Sequence, residues 1–306
     1  METKIYKNID LKAPVMIAGW PGMGSVALGV VDYLRRNLRA ARLAEIDLDP
    51  LTTLDSVVVE NGLASLPPAP KNIFYYTKDP DLIIFESEAQ IPGQGGINLL
   101  KRVLEVASQF KVTRIYTGAA FPMPISYKET PEVYAASNKK LILDTLKKFN
   151  MRSMEGGHIS GMNGLILGFA QGMHIDAVCL LATMPQYAIS LPNPKASRAI
   201  IEMLRKILGF EIQTHEIEEY IKDMDEKMAV IEDKVKDVLT IEREEPESTH
   251  PTSKKIPEYI MERIEKLFRE ARADKAKAIL LKKELDRWDL YKLYEDRFLD
   301  LFKESQ

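Results

Sequence analysis

Short apolar runs alternate with amphipathic stretches through the first 210 residues, and this alternation constrains the fold more than any other feature of the sequence. The apolar runs are rich in β-branched and aromatic residues and are bounded by glycine, proline or polar clusters, which is typical of strands. The predicted strands are residues 15–20, 56–60, 72–77, 82–87, 114–120 and 176–183. Several are apolar on both faces, as in a sheet that is covered on both sides. We therefore expect an α/β fold, a three-layer domain with a mostly parallel sheet.

Helical stretches lie between these runs. The first helix is expected after Ser25, which is a candidate N-cap. A second stretch, from about residue 97 to residue 110, has one apolar face. Thr130-Pro131 and Asn193-Pro194 each combine a capping residue with a proline at the first helical position, so a helix is predicted to begin at each.

Four glycines, at positions 161, 164, 168 and 172, recur at helical spacing in the segment before the last predicted strand. Each glycine lowers helix stability by roughly 0.5–1 kcal/mol relative to alanine. Their repetition on one face indicates that another backbone or a ligand approaches that face closely. We expect this stripe to pack tightly against the sheet.

Beyond Gly209 the apolar residues are separated by alternating steps of four and three, which is a heptad pattern held for about three repeats. The candidate oligomer seam consists of Ile217, Ile221, Met224, Met228, Ile231 and Val235. A coiled-coil helix of this kind needs a partner helix, either within the chain or in a second subunit.

The rest of the sequence divides into a polar segment and a helix-forming segment. Residues 242–257 contain three prolines and no apolar periodicity, which is typical of a linker. Residues 258–306 form amphipathic helices that cannot bury their apolar stripes alone. The predicted domains are an α/β domain over 1–241 that ends in the heptad helix, the linker 242–257, and a helical extension over 258–306.

Composition and charge argue against several classes of function. A net charge of −3 and a pI near 6.0 lack the basic excess of a nucleic-acid-binding protein. No apolar run reaches the roughly 18–20 residues that span a bilayer, and the amino-terminal residues lack the apolar core of a signal peptide. We expect a cytoplasmic protein that binds neither nucleic acid nor a membrane.

The cysteine and histidine content argues against a metal site. Cys179 is the only cysteine, which excludes intramolecular disulfides and cysteine-based zinc sites. It lies in the apolar run AVCLLA, where a cysteine is expected to be a small buried hydrophobic residue. No two of the four histidines have a metal-ligand spacing such as i, i+4. We expect no metal and no cofactor.

Candidate partner or ligand loops follow the predicted strands, since ligands commonly bind at the carboxyl ends of parallel strands. The first is the turn GWPGMGS, with the candidates Trp20, Pro21, Gly22, Met23 and Gly24. Its glycine spacing matches neither the dinucleotide-binding pattern nor a P-loop. A tight strand-to-helix turn is the simpler interpretation. Solvent-facing Trp20 and Met23 side chains would favour a partner site.

The loops after the other strands add further candidates. Glu86 and Glu88 are a candidate carboxylate pair for acid–base chemistry or metal binding, and His158 is a candidate general base. The remaining candidates are Gln90, Gly93, Gly95, Gly96, Pro185 and Tyr187. No serine lies in a G-x-S-x-G elbow, and no lysine or arginine adjoins the glycine turns. The loops therefore indicate a pocket without a recognisable catalytic constellation, and we assign no catalytic residue.

Three segments of the sequence resemble the proteasome assembly chaperone family, of the type of its second eukaryotic subunit. They are GWPGMGSVALGVVDYL, the stretch from ESEAQIPGQGG to RIYTGAA, and the stretch from SGMNGLILGFAQ to LLATMPQYAISLPNPKASRAIIEMLRKILG. The third segment is the most specific, and the likeness covers roughly residues 10–235. The resemblance implies an α/β fold similar to the nucleoside phosphorylase type and a homo-oligomer. For archaeal members it also implies binding of proteasome core α or β subunits during assembly.

One departure from the family concerns the carboxyl terminus. Chaperones that dock on the proteasome α-ring often end in a hydrophobic–Tyr–any tripeptide, whereas this sequence ends Lys303-Glu304-Ser305-Gln306. Leu293-Tyr294-Glu295 has the right order but lies inside the sequence. If the protein engages a proteasome, we expect a different docking surface or a partner that carries the tail.

Two functional hypotheses follow from these observations. The first is a non-enzymatic, oligomeric scaffold or assembly chaperone, which binds proteasome core subunits where the organism has them. The alternative is an enzyme or sensor that binds a nucleotide, nucleoside or carboxylate at the glycine-rich strand ends. The resemblance, the heptad seam and the missing catalytic constellation favour the first.

Overall fold

The computed structural model describes residues 1–48, 57–241, 258–273, 277–287, 290–299 and 301. The chain divides into two compact units, Met1–Arg243 and Glu244–Gln306. None of the described helices has the length and apolar character needed to cross a membrane.

A nine-stranded sheet forms the centre of the described part of the first unit. The strands of the unit are β1 (Glu2–Ile5), β2 (Val15–Gly19), β3 (Ala41–Asp47), β4 (Val58–Glu60), β5 (Leu63–Ser65), β6 (Asn72–Lys78), β7 (Asp81–Ser87), β8 (Arg114–Met123), β9 (Val133–Ser137), β10 (Arg152–Ser153) and β11 (Asp176–Pro185). Their order in the sheet is β1-β3-β6-β7-β2-β8-β11-β9-β10, and β4 pairs with β5 in a separate hairpin.

The centre of the sheet is parallel. Strands β7, β2, β8 and β11 run in the same direction, and β11 pairs with β8 along its whole length, from Asp176 opposite Arg114 to Pro185 opposite Met123. The flanks carry the antiparallel pairs, β1–β3–β6–β7 on one side and β9–β11 on the other. The predicted α/β fold is confirmed, with its parallel strands in the buried centre, where side chains are covered on both faces.

Helices cover both faces of the sheet. Those of the first unit are α1 (Val26–Asn37), α2 (Gly93–Gln109), α3 (Lys140–Leu146), α4 (Met162–Gly172), α5 (Pro194–Leu208) and α6 (His215–Ile241). Successive residues of β2 point to opposite sides: Met16 and Ala18 pack in the core under α2 and α4, whereas Ile17 packs in the core under α1 and α5. The fold therefore has the three layers that the sequence predicts.

The predicted helix starts differ in outcome. Helix α5 begins at Pro194, and the Asn193 side chain accepts a hydrogen bond from Ala196 N at 2.9 Å, as a capping residue should. Helix α1 follows Ser25, but Ser25 has left-handed backbone angles (φ 49°) and makes no capping bond. Helix α2 begins at Gly93, which is earlier than predicted.

The prediction of a helix at Thr130-Pro131 is wrong. These residues lead instead into β9, which pairs antiparallel with β11 between Val133 and Ala182. The Thr183 hydroxyl accepts a hydrogen bond from Glu132 N at 2.9 Å, so the chain joins the sheet immediately after the proline. A capping residue followed by proline also suits a turn into a strand, and here the sheet edge supplies backbone partners that a local pattern does not reveal.

The glycine stripe of α4 is packed at one end only. A Cβ atom added to Gly164 would lie 2.3 Å from the Ile159 carbonyl oxygen, so this glycine permits a close backbone approach. Gly168 and Gly172 are exposed, and a Cβ at either would meet no atom within 4 Å. The expectation that the whole stripe packs against the sheet is therefore wrong for these two residues, because they face away from it.

The heptad seam of α6 lies mainly against its own domain. Ile217 and Ile221 pack in the core under α1 and α5, and Met224 and Met228 form a small cluster with Ala188. These four side chains are buried within the chain, so they are not free to form a seam with a second subunit. Only the following positions, Ile231 and Val235, remain partly exposed among the predicted seam residues.

The second unit contains three described helices, α7 (Glu258–Ala273), α8 (Ala278–Arg287) and α9 (Tyr291–Leu299). Its core includes Ile264 and Phe268 of α7 and Leu281 of α8. The Arg297 guanidinium binds both oxygens of Glu265 at 2.6 and 2.7 Å and lies 4.2 Å over the Phe268 ring. This unit thus has a core of its own. The predicted linker 242–257 lies outside the described residues.

Candidate functional site

The glycine- and proline-rich loops gather along one edge of the sheet. Because β2, β7, β8 and β11 are parallel, the loops that follow them all begin at the same side, which we term the carboxyl edge. Strand β6 is antiparallel to β7, so β6 begins at this edge. Strand β3 is antiparallel to β6, so β3 ends there as well. Helix α4 also begins there, next to the turn after β2.

An asparagine of α4 makes two hydrogen bonds to the turn after β2. Trp20 N donates to Asn163 Oδ1 at 3.0 Å, and Asn163 Nδ2 donates to Trp20 O at 3.1 Å. The Thr117 hydroxyl donates to Asn163 O at 2.7 Å and ties this pair to β8. Trp20 is fully buried and packs 5.0 Å from Phe85, so it is not available to a partner. Met23, at the tip of the turn, is 46 % exposed and remains available.

Gly24 joins the same turn to the proline-rich loop after β11. Its N–H donates to Ile189 O at 2.8 Å, and its carbonyl accepts from Asn193 N at 2.8 Å. Gly24 has φ 63°, and an added Cβ would lie 2.8 Å from the Met184 sulfur. A side chain at this position would therefore be both strained and crowded. Ile189, whose carbonyl binds the residue after Met23, is 43 % exposed and is a second apolar side chain open to solvent.

Gln90 links the loop after β7 to the turn after β2 and to the start of α4. Its Nε2 donates to Pro21 O at 2.5 Å, and its Oε1 accepts from Met162 N at 3.0 Å at the start of α4. Gly161, at the same helix start, has φ 78°, and an added Cβ would lie 2.9 Å from the Gln90 amide. The role of Gln90 in this arrangement is to fix loop positions.

Glu86 and Glu88 do not form a carboxylate pair. Glu86 binds Arg35 of α1, with 2.7 Å between Oε2 and Nε, whereas Glu88 Oε2 accepts from Lys71 N at 2.9 Å. Strand β7 ends at Ser87, so Glu88 already belongs to the loop. The structure therefore does not bring these groups together as the sequence suggested. Within the described residues, no group of three or more His, Cys, Asp or Glu side chains is arranged to hold a metal ion.

The loop glycines 93, 95 and 96 are the first residues of α2. Gly93 has φ 62°, and a Cβ on Gly96 would lie 2.0 Å from the Ile91 carbonyl oxygen. Gly96 is therefore required by a close backbone contact at the helix start. These glycines shape the edge, and Gly93 and Gly95 remain accessible on it.

A cavity of about 390 Å³ opens at the carboxyl edge. Its wall includes Gly22, Gln90, Asn163 and the exposed His158, and the rest of the wall is mostly apolar. Asn163 and Gln90 already use their amide groups for the loop contacts described above. His158 thus lies beside the cavity, as the sequence suggested, but no other candidate acid or base lines it.

Tyr187 and Pro185 belong to a different cluster, which binds α6 to the loops. The buried Glu232 carboxylate accepts from Tyr187 OH at 2.5 Å, from the Ser126 hydroxyl at 2.8 Å and from Tyr127 N at 3.1 Å. Burial and the bond to Glu232 raise the pKa of the Tyr187 hydroxyl well above its usual range. Pro185, at the end of β11, is buried beside this cluster.

Lys195 makes a second polar contact between α6 and the loops. Its Nζ donates to Asp225 Oδ2 at 2.8 Å and to Tyr127 O at 2.7 Å. The sequence did not single out Asn163, Lys195 or Glu232. Glu232 could have been noticed in the sequence as a glutamate on the seam side of an otherwise apolar heptad. Asn163 could not, because its partner Trp20 is 143 residues away.

The family match reported below covers the part of the chain that contains this site. The model of the PAC2 family matches residues 16–232. Pyrococcus furiosus PbaB, described as an archaeal proteasome activator, has a similar crystal structure, with a TM-score of 0.65 and 26 % sequence identity. The match covers 76 % of this chain and 98 % of PbaB.

Two further proteins extend the comparison. Pyrococcus furiosus PbaA, described as an archaeal homolog of proteasome-assembly chaperone, has a TM-score of 0.61 at 18 % identity, over 79 % of this chain and 96 % of its own. That likeness concerns the fold alone. An uncharacterized protein of Methanocaldococcus jannaschii is 24 % identical over 254 residues, which are 80 % of this chain and 94 % of that protein.

Proposed function

This chain belongs to the PAC2 family, and from that premise we propose that it is a non-enzymatic assembly chaperone that binds proteasome core subunits. The observation that carries the proposal is the similarity to PbaB, which extends over 98 % of that proteasome activator at 26 % identity. The proposal includes self-association and a cytoplasmic location, which the sequence led us to expect.

The chemistry of the carboxyl edge supports a protein partner. Gln90 and Asn163 use their side chains to hold loop backbones, and Glu86 and Glu88 have structural partners. Met23 and Ile189 are exposed apolar side chains at the same edge. Apolar side chains displayed on a fixed backbone are typical of protein–protein interfaces, since their burial stabilises association without a cost for loop ordering. We therefore assign Met23 and Ile189 to the docking surface.

The test is capture of proteasome α and β core subunits from the same organism by the tagged full chain. We expect the wild-type protein to retain at least one of these subunits, and the variant Met23→Glu with Ile189→Glu to lose at least tenfold in retention. Leu141→Glu is the matched control, because Leu141 is 69 % exposed on α3 and lies outside the carboxyl-edge loops.

The control should bind as the wild type does. Wild-type protein that retains neither subunit would contradict the proposed partner. Equal binding by the double variant and the wild type would contradict the assignment of the surface. Circular dichroism of each variant separates loss of binding from loss of fold.

The cavity at the carboxyl edge favours a second candidate function, binding of a small molecule. Its volume of about 390 Å³ falls within the range of ligand pockets, and its mostly apolar wall with few polar groups is also typical of them. Nucleosides, nucleotides and carboxylates are the compounds to screen by thermal shift. A rise in melting temperature that His158→Ala removes would support this function, and no rise with any of them would count against it.

A further inference from the structure

A cavity of about 590 Å³ lies along one face of α5. The α5 residues that line it are Lys195, Arg198, Ala199, Glu202 and Met203. Steps of three and four residues place these five on one side of the helix, over a length of about 12 Å. We term this the α5 cavity. Its volume falls within the range of small-molecule pockets, and its lining residues differ from those of the cavity at the carboxyl edge.

The interior of the α5 cavity is apolar, and its opening is charged. Val133 of β9 and Ile221 of α6 are buried, and Met203 is partly buried. Lys128 and Arg152, by contrast, are exposed. Lys128 belongs to the segment that leads into β9, and Arg152 belongs to β10. A ligand in this cavity would therefore meet apolar side chains on the inside and cations at the opening.

The three carboxylates of the α5 cavity already accept hydrogen bonds from the chain. The bonds are Ser126 N to Glu129 Oε1 at 3.0 Å, Tyr134 OH to Glu132 Oε2 at 2.9 Å, and Arg205 Nε to Glu202 Oε2 at 3.1 Å. Arg205 does not line the cavity, so it offsets the charge of Glu202 from outside. These carboxylates therefore have less capacity left for a cationic ligand.

Two cations of the α5 cavity keep unused donors. The Arg198 guanidinium has several N–H donors, and the carboxylate that pairs with it, Glu218, lies 3.6 Å away, beyond hydrogen-bond distance. Lys128 Nζ lies 5.7 Å from the centre of a tyrosine ring and makes no salt bridge to a residue that the structure describes. The other two cations, Lys195 and Arg152, have carboxylate partners. The unused donors favour a ligand that brings acceptor oxygens and negative charge.

We propose that the α5 cavity binds a small organic phosphate monoester. Lys128 and Arg198 hold the phosphate, and the organic group packs against Val133, Met203 and Ile221. A phosphate monoester carries about −1.5 to −2 charges at pH 7, which match the two cations that have unused donors. Lysine and arginine are the side chains that commonly bind phosphate in proteins. Inorganic phosphate would leave the apolar interior unfilled, so the organic group belongs to the ligand.

Isothermal titration calorimetry of the full chain tests the proposal with three probes, which are phenyl phosphate, inorganic phosphate and phenylacetate. We expect phenyl phosphate to bind most tightly, with an affinity that falls as the salt concentration rises. Inorganic phosphate should bind about tenfold more weakly, because it lacks the apolar ring. Phenylacetate should also bind about tenfold more weakly, because it carries a single charge.

Two variants test the cations. Arg198→Ala and Lys128→Ala should each weaken the binding of phenyl phosphate about tenfold, since each removes a charge-assisted hydrogen bond. Arg102→Ala is the matched control, because the Arg102 side chain is 48 % exposed, that of Arg198 is 42 % exposed, and each pairs with a glutamate. Arg102 lies on α2 and does not line the cavity, so its variant should keep the wild-type affinity. Circular dichroism checks the fold of each variant.

His158→Ala separates the α5 cavity from the cavity at the carboxyl edge, which His158 lines. It should leave the affinity for phenyl phosphate unchanged. No saturable binding of phenyl phosphate to the wild type, unchanged affinity in Arg198→Ala, or loss of binding in His158→Ala would each overturn the proposal. Inorganic phosphate that binds as tightly would overturn the role of the apolar interior. Phenylacetate that binds as tightly would overturn the choice of a phosphate.

This inference goes beyond the proposed function and does not depend on it. Neither Met23 nor Ile189, the residues assigned to the docking surface, lines the α5 cavity, and the titration needs no proteasome subunit. Failure to capture proteasome subunits would therefore not change the affinity expected for phenyl phosphate. Absence of phenyl phosphate binding would overturn this inference and leave the capture experiment to decide the proposed function.

Discussion

Asn163 of α4 holds both the N–H and the C=O of Trp20, 143 residues earlier in the chain, through a matched pair of hydrogen bonds at 3.0 and 3.1 Å. Both residues are buried, so removal of the amide takes a protein partner away from two buried backbone groups. The pair joins the end of β2 to α4, the helix that precedes β11 in the chain. The position of the turn after β2 therefore depends on a residue that is distant in sequence.

Replacing Asn163 by alanine should destabilise the fold. Two buried backbone groups of Trp20 would lose their partners, and the expected loss in the free energy of unfolding is about 2–4 kcal/mol. Urea unfolding measures it. Asn98→Ala is the control, since Asn98 is exposed and its side chain accepts a hydrogen bond from Gln94 on the surface of α2. Its effect should stay within about 0.5 kcal/mol, and equal losses for both variants would contradict the role of Asn163.

Two glycines of α4 should respond in opposite directions to alanine. Gly164→Ala places a Cβ 2.3 Å from the Ile159 carbonyl oxygen, and overpacking of this kind costs about 1–3 kcal/mol. Gly168→Ala meets no neighbouring atom, so it should stabilise the helix by about 0.5–1 kcal/mol. Thermal and urea unfolding of the pair give the sign of each change. A destabilised Gly168→Ala protein would show that this face is packed in solution.

The buried carboxylate of Glu232 should determine how firmly α6 is held. Glu232→Ala leaves the Tyr187 hydroxyl and Tyr127 N without this acceptor, at an expected cost of about 2 kcal/mol or more. Hydrogen exchange should become faster in α6 before it does so in the central strands. Glu226→Ala, at an exposed position of the same helix, is the control and should leave exchange unchanged. Unchanged protection in Glu232→Ala would argue against this anchoring role.

The single thiol should be inert in the folded protein. Burial raises the pKa of Cys179 to about 12, so the thiolate is scarce at pH 8. A thiol reagent at pH 8 should react with less than one tenth of the native protein and with all of the unfolded protein. Because the folded pKa is the higher one, this group favours folding at lower pH, and its contribution declines as pH rises from about 9 towards about 12. Rapid reaction with native protein would show that the strand opens easily.

The sequence predicted the fold class, and the confirmed resemblance to proteasome assembly chaperones agrees with the PAC2 match. Apolar runs marked the central strands because both of their faces are buried, as in β11. The sequence identified Asn193 as a capping residue because a capping bond joins residues that are close together in the chain. The helix prediction at Thr130-Pro131 failed because the same local pattern can precede a helix or a strand. Pairing with the backbone of β11 favours the strand here.

The details of the site were less accessible from sequence. The sequence left open whether Trp20 faces solvent, because its burial depends on Asn163 and Phe85, which are far along the chain. Glu86 and Glu88 looked like a pair, but their partners Arg35 and Lys71 come from different elements. A pattern in one segment carries no information about which distant group will lie beside it.

Gln90 and Asn163 tie the turn after β2, the loop after β7 and the start of α4 into one hydrogen-bonded unit. Met23 projects from this unit with 46 % of its surface exposed and is not part of the hydrogen-bonded set. On the proposed assignment of the docking surface, recognition and stability are encoded by different residues. A single substitution at a projecting side chain such as Met23 can then change the preferred partner while the supporting backbone keeps its conformation. Binding specificity at this edge can therefore change in evolution without a change of fold.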